Sequence, residues 1–456
     1  NTATDKGKFL EILLSRVKLI VNVVDDKEEK IFSSLNGGKV NLDGADLLRA
    51  ILMTRAAKEK YHGTSATSEV REFRIRMGME LDLMNLWFGK TADYFKQFIS
   101  DQTIGMARIN RFDFTTLPIN LLYLLYYEKE SLNFSFFEYG KNSNGNPDDD
   151  RWEMYLELQE MYAILQRWYN DKELYHYLGF LFFNFKAQTP FRDIYTQWKA
   201  LNSRDKFLKD IQHTIATRML DRYLEETEKA APDYQKCLKT MTEAISDFRE
   251  NWYNNDKELY QILILLDIFR ILDSKSIKKL PTDYFTRKSG QKDGEDKEHI
   301  LSQTPRKDNG EIATIKTDWE RFAQSEDFKD IRSQMQEILN HSDAELTEQE
   351  LTQLQNLLNS AGLNSIGNMV LLDLRINRSY GNADYAHKRT IIFQEYMNQK
   401  YVRPHTLAVF MKGDIDAREA TGIPLNRWTL EDIKRNTDKI AKEIGKNFNA
   451  WLTQNN

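Results

Sequence analysis

The chain has 456 residues, with 64 Lys/Arg against 69 Asp/Glu and a formal net charge of −5. That length exceeds one ordinary core, so two or three domains are expected, and so small a net charge excludes a protein that coats nucleic acid indiscriminately. A single cysteine, Cys237, excludes an internal disulfide and an all-cysteine zinc site, suits a reducing cytoplasm, and reads as a small buried apolar residue.

In chain order, the sequence opens at Asn1 without an initiator Met and without a signal peptide, which reads as the start of a fragment. Phe9–Val24 is apolar and ambiguous between strand and helix, and Asp46 can cap a helix over Leu47–Leu52. Gly140–Asp150 is too polar to be ordered by packing and reads as a loop. An internal echo follows: Trp168–Tyr175 and Trp252–Tyr260 share a Trp-Tyr-Asn start and an Asp-Lys-Glu-Leu-Tyr end. In each copy an Asn stands three before a Glu (Asn170 and Glu173, Asn255 and Glu258), a helix-start signature, so two corners of like construction are expected, with core aromatics.

Gly179–Phe183 and Ile262–Leu266 are the longest apolar runs, far short of the ~20 residues that cross a bilayer, and read as core helices. A domain boundary is placed near Pro281, beside a polar loop over Arg287–Lys297. Further on, Glu311–Thr317 is a candidate strand, and Thr347 with Glu350 forms a capping box ahead of Leu351, Leu354, Leu357 and Leu358. Met369–Leu374 is the clearest strand. Eight Pro and 20 Gly leave few breakers, so the chain is read as mainly α. From Arg375 onward 14 Lys/Arg stand against 9 Asp/Glu, which is compatible with phosphate contact.

The chemistry-bearing residues lie in the last third. Glu298-His299-Ile300, then Gly367-Asn368 before the apolar Met369–Leu372, then Asn377, provide what a one-metal phosphodiesterase needs. A histidine deprotonates water, an amide holds that histidine, and oxygen ligands hold a hard divalent cation. Each residue also has a plainer reading. Asn368 at a turn can bond its own backbone, Asn382 can cap a helix, and Lys388 and Arg389 can lie on an exposed helix face.

The acid–His pair, the Asn before a short strand and the second Asn resemble the HNH nuclease pattern, with a wide gap between His299 and Asn368 filled by helical sequence. That departure resembles the GmrSD-type modification-dependent restriction endonucleases. Ile31–Gly38 with Leu42 and Asp46–Ala50 resembles the end of that family's nucleotide-binding half, and Trp168–Leu181 its helical middle. Glu298–Gln303, Ile366–Leu372, Asn377, Asn382 and Lys388-Arg389 resemble its nuclease signature. Pro404-His405-Thr406, Phe410, Lys412, Trp428-Thr429 and Asp432 resemble its tail.

The resemblance implies a mainly α chain, with a helical region over 1–280 and an HNH-like ββα-metal nuclease domain over 281–456 that carries a helical insertion at about 319–360. It implies a cytoplasmic endonuclease of anti-phage restriction acting on double-stranded DNA, with modified phage DNA as a candidate target. His299 is then the general base, Asn368 holds its ring through the side-chain carbonyl, Lys388 neutralises a phosphate, and Glu298 with Asn377 holds Mg²⁺ or Mn²⁺. The family's Asp-Gly-Gln-Gln-Arg run is absent, so a nucleotide triphosphate is expected only with a preceding region, and Ser302 stands where Pro is common. No membrane partner is expected, and the oligomeric state, including a homo-oligomer, stays open. The competing reading is a nucleotide-gated DNA-binding module whose nuclease domain is inactive.

Overall fold

The computed structural model describes residues 7–9, 11, 49, 52–60, 68–95, 98, 151–185, 191–276, 279–288, 294–302, 304–305, 311–376, 385–412 and 426–453. Asp46, Gly140–Asp150, Asn377 and Asn382 lie outside these residues, and of Phe9–Val24 only Phe9 and Glu11 are described, both helical.

Helices dominate, as the spacing of apolar residues requires. Helix α1 (Ser68–Phe95) buries Val70, Phe73, Met77, Leu81, Met84 and Phe88, one stripe at three- and four-residue steps. Helices α2 (Arg151–Asn170) and α3 (Lys172–Phe185) meet at Asp171. Its Oδ1 accepts from the amides of Glu173 and Leu174 at 3.1 and 3.0 Å, so the cap is Asp171, one residue after the Asn170 that the sequence pattern indicates. Helices α4 (Phe191–Leu201), α5 (Arg204–Leu220) and α6 (Tyr234–Ser246) follow. A 3₁₀ turn, Trp252–Asn254, then leads into α7 (Asp256–Asp273). Helix α7 is buried on nearly every side between Glu258 and Phe269, and α3 buries Tyr175–Phe182, so both apolar runs are core helices as expected. Trp168, Trp252 and Cys237 are buried too.

Strand β1 (Glu295–His299) is followed by three further helices, α8 (Lys316–Ala323), α9 (Arg332–Asn340) and α10 (Glu348–Ser360). Thr347 and Glu350 form the anticipated capping box of α10. A 3₁₀ turn, Ile366–Asn368, opens β2 (Met369–Asp373), which pairs antiparallel with β1, Glu295 opposite Asp373 and His299 opposite Met369. Helices α11 (Tyr385–Met397), α12 (Pro404–Met411) and α13 (Leu430–Thr453) complete the described chain.

Two strand expectations need correction. Glu311–Thr317 forms no strand: Ile315 makes an isolated bridge to Glu345, and Lys316 already begins α8. Arg287–Lys297 is not loop throughout, because Glu295–Lys297 belong to β1. So polar a segment is a strand for a long-range reason. Glu295 is 2 % exposed and both its carboxylate oxygens accept from Arg403, at 2.8 and 2.7 Å.

Strand β2 explains its own unbroken apolar run. Side chains alternate across a strand. Met369 and Leu371 join a core built by the helices up to α7, while Val370 and Leu372 join a second core with Ile300, Trp319, Met335, Leu354 and Phe410. Helix α13 serves both, giving Ile433 to the second core and Ile440, Ile444, Phe448 and Trp451 to the first. Gly367 is where α13 presses closest. A Cβ there would stand 2.3 Å from the Ile433 carbonyl oxygen, so only glycine lets the turn and the helix backbone meet.

Two predictions arise here. Arg403→Ala would strand Asp267 and Glu295 as buried carboxylates without their cation, and should cost about 3–5 kcal/mol in urea unfolding. A loss below 1 kcal/mol, on the order of an exposed pair, would contradict that. His176 is fully buried, accepting at Nε2 from the Leu280 amide (2.9 Å) and meeting the Lys172 carbonyl with Nδ1 (2.5 Å). Burial lowers its pKa to about 4 from 6.5, so the stability it contributes is present above 6.5 and lost as pH falls towards 4. Stability curves of the wild type and His176→Gln should therefore diverge by up to about 3 kcal/mol across that window, and parallel curves would exclude the effect.

Candidate active site

His299 ends β1 and is 8 % exposed. Its Nε2 lies 2.9 Å from Asn364 Oδ1, and Asn364 Nδ2 donates to Asn359 Oδ1 at 2.7 Å. The Tyr253 ring stacks on the imidazole, centroids 4.7 Å apart and planes 19° from parallel. The Trp252 amide donates to the Asn364 carbonyl at 2.9 Å, and Lys297 Nζ contacts the Tyr253 carbonyl and Asp256. The imidazole is thus walled on one face by the corner preceding α7 and met at one nitrogen by the chain following α10.

Asn368 stands next to the histidine but is engaged elsewhere. Fully buried, its Oδ1 accepts from the Leu301 amide at 2.8 Å, and its Nδ2 donates to the carbonyls of Leu301 (3.0 Å) and Leu363 (2.9 Å). Its own carbonyl accepts from the Ile300 amide at 2.9 Å. Asn368 therefore clamps the chain leaving His299 to the turn before β2. The amide that meets the imidazole is Asn364, four residues earlier.

Lys388 also differs from expectation. It is no surface cation: its Nζ is buried, 2.9 Å from Glu298 Oε1 and 2.7 Å from the His299 carbonyl oxygen. Burial lowers its pKa, and Glu298 opposes that shift. Arg389 gives its Nε to the Phe410 carbonyl at the end of α12. The tail residues are structural in the same way. Thr406 Oγ1 donates to the Leu371 carbonyl of β2 at 2.8 Å, Lys412 pairs with Asp432 at 3.0 Å, and Thr429 with Asp432 caps α13.

Of the two residues expected to hold Mg²⁺ or Mn²⁺, Glu298 and Asn377, only Glu298 is among the described residues. Among the described residues no group of three or more His, Cys, Asp or Glu could hold a metal ion. Glu298 faces the Lys388 ammonium.

Residues 242–443 match the family model described as GmrSD restriction endonucleases, C-terminal domain. This stretch is a GmrSD-type restriction endonuclease C-terminal domain. The match begins inside α6, so the GmrSD-type domain takes in the Trp252–Asn254 corner and α7 as well as both strands. No curated protein and no solved structure matches the chain. No helix of the described residues is long and apolar enough to cross a membrane.

Sequence reading missed Asn359, Asn364 and Tyr253. The available signal was an amide-rich stretch, Asn359, Asn364 and Asn368, inside otherwise apolar sequence ahead of β2.

Asn368 gives a direct test of the clamp. Asn368→Ala leaves one amide and two carbonyls buried without their partner, and should cost about 3 kcal/mol or more. Asn368→Asp should be comparably destabilised, since a carboxylate cannot donate to Leu301 and Leu363. Thermal melting of both variants checks this, and an Asp variant as stable as wild type would contradict it.

Proposed function

We propose that the chain is a DNA endonuclease of a modification-dependent restriction system, acting in anti-phage defence, with His299 as the general base. The observation that carries this is a buried-rim imidazole fixed on two sides, at the end of β1, inside a segment that matches the GmrSD C-terminal domain. An unperturbed imidazole titrates near neutrality and suits proton abstraction from water at cellular pH. His299 would take one proton from a water molecule. The resulting hydroxide attacks the phosphorus in line, a P–O bond forms, the bond to the 3′-oxygen breaks, and that oxygen takes a proton from solvent.

Strands β1 and β2 with α11 would correspond to the ββα unit of an HNH-like nuclease domain, α8–α10 to its insertion, and residues before about 281 to the helical region preceding it. Asn368 holds the loop after His299 in this scheme. Lys388 is moved from phosphate contact to holding Glu298 and the end of β1. No step is assigned to Mg²⁺ or Mn²⁺; Glu298 and Asn377 remain the residues that would hold such an ion. Selection of modified DNA is left to surfaces other than this site.

The test is nicking of supercoiled plasmid with Mg²⁺, with Mn²⁺ and with EDTA. Wild type should nick and His299→Ala should lose at least about 100-fold, within the usual weight of a general base. Equal DNA binding by both without cleavage by either would replace this reading with an inactive nuclease domain that serves binding. Undiminished cleavage in EDTA would remove a divalent cation from the reaction.

A further inference from the structure

We propose that the cleft between α12 and α13 binds a nucleoside phosphate, its phosphate on the Arg435 and Lys439 side and its sugar and base against Ala408, Val409 and Trp428. The proposal does not depend on His299 as a base.

Both helices build the cleft. Ala408 and Val409 come from α12, Trp428 from the chain just before α13, and Asp432, Arg435 and Lys439 from α13, three and four residues apart and so on one face. It offers about 60 Å³ of water-sized space, several times the ~10–15 Å³ that one water needs. Trp428 is 5 % exposed and stacks on Tyr385, which makes it a rigid aromatic wall. The cleft also adjoins the turn before β2. Asn436, another of its lining residues, donates Nδ2 to the Gly367 carbonyl at 2.8 Å, next to Asn368.

Its charges are unequal. Lys412, Arg435 and Lys439 stand around one carboxylate, Asp432. The Oδ2 of that carboxylate already accepts from Lys412 Nζ at 3.0 Å and from the amide and hydroxyl of Thr429 at 2.9 and 3.0 Å. Arg435 is held only loosely, Nη1 3.6 Å from Asp432 Oδ1 and Nη2 4.0 Å from Glu431 Oε1, both too long for a hydrogen bond. Arg435 Nη1 and Trp428 Nε1 are buried donors with no hydrogen-bond partner among the described residues. Buried donors in a native protein nearly always meet an acceptor, so this lining is short of the oxygens a phosphate supplies. The Arg435 side chain is 40 % exposed, so its fork can turn to an oxyanion in the cleft without disturbing the core. A basic rim beside an apolar, aromatic wall matches a phosphate joined to a sugar and base, not a bare inorganic anion.

Binding is measured on the full chain carrying His299→Ala, so that cleavage does not interfere. Thymidine monophosphate should bind and shift the ¹⁵N-indole resonance of Trp428, assigned with Trp428→Phe, while thymidine at the same concentration should not. Arg435→Gln should weaken the nucleotide about tenfold or more, and Ala408→Phe, which fills the cleft and keeps its charges, should abolish binding. A Trp428 resonance that the nucleotide leaves in place, or unchanged affinity in both variants, overturns the proposal. A duplex oligonucleotide separates the two sources of such a group. If the occupant belongs to DNA, Arg435→Gln also weakens duplex binding and lowers its salt slope by about one. If it is a free nucleotide, duplex binding stays as it was. Neither arm reads cleavage, so failure of the cleft and failure of His299 as a base are seen in different experiments.

Discussion

The site depends on one buried cation. Arg403 is 2 % exposed and spends its guanidinium on five hydrogen bonds, to Glu295 (two), Asp267, and the carbonyls of Tyr284 and Thr286. Burial opposes its charge, yet the Glu295 and Asp267 carboxylates more than offset that and hold its pKa above the ordinary value. Burial in turn pushes Asp267 up to about 6 against the pull of Arg403, which leaves it ionised at neutral pH. A buried ion of this kind persists only when every partner is in place. Three elements are therefore tied at one point: α7 through Asp267, the start of β1 through Glu295, and the start of α12 through Arg403.

That tie sets where His299 goes. Strand β1 is five residues long and polar, with little intrinsic reason to be a strand. Glu295 fixes one end and Lys388, reaching Glu298 and the His299 carbonyl, fixes the other. Strand β2 pairs along it and sends alternate side chains into two cores. The imidazole sits at the seam between them, with Tyr253 contributed from one side and Asn364 from the other.

What the sequence made legible were the features encoded locally. Helical stripes, the Thr347–Glu350 box, the all-apolar β2 and the corners each follow from residues a few positions apart. Even there a one-residue ambiguity survived, because Asn170 and Asp171 are both good caps and only geometry selects the second. Strand β1 was hidden because its burial comes from Arg403, 108 residues from Glu295. Lys388 beside Arg389 looks like an exposed basic pair until Glu298, 90 residues away, closes over it. His299 and Asn368 stood out by order and neighbours. Which asparagine would meet the imidazole depended on the turn before β2, and no local pattern encodes that.

The sharpest measurement is chemical rescue of His299→Gly. The variant removes the imidazole but keeps the frame of Asn364 and Tyr253, so added imidazole can take the vacated place. Plasmid nicking should return with a rate that rises with the concentration of free-base imidazole and disappears as the buffer is acidified. A variant that folds and binds DNA, yet stays inert at every imidazole concentration while the wild type cleaves, would show that His299 is not the base.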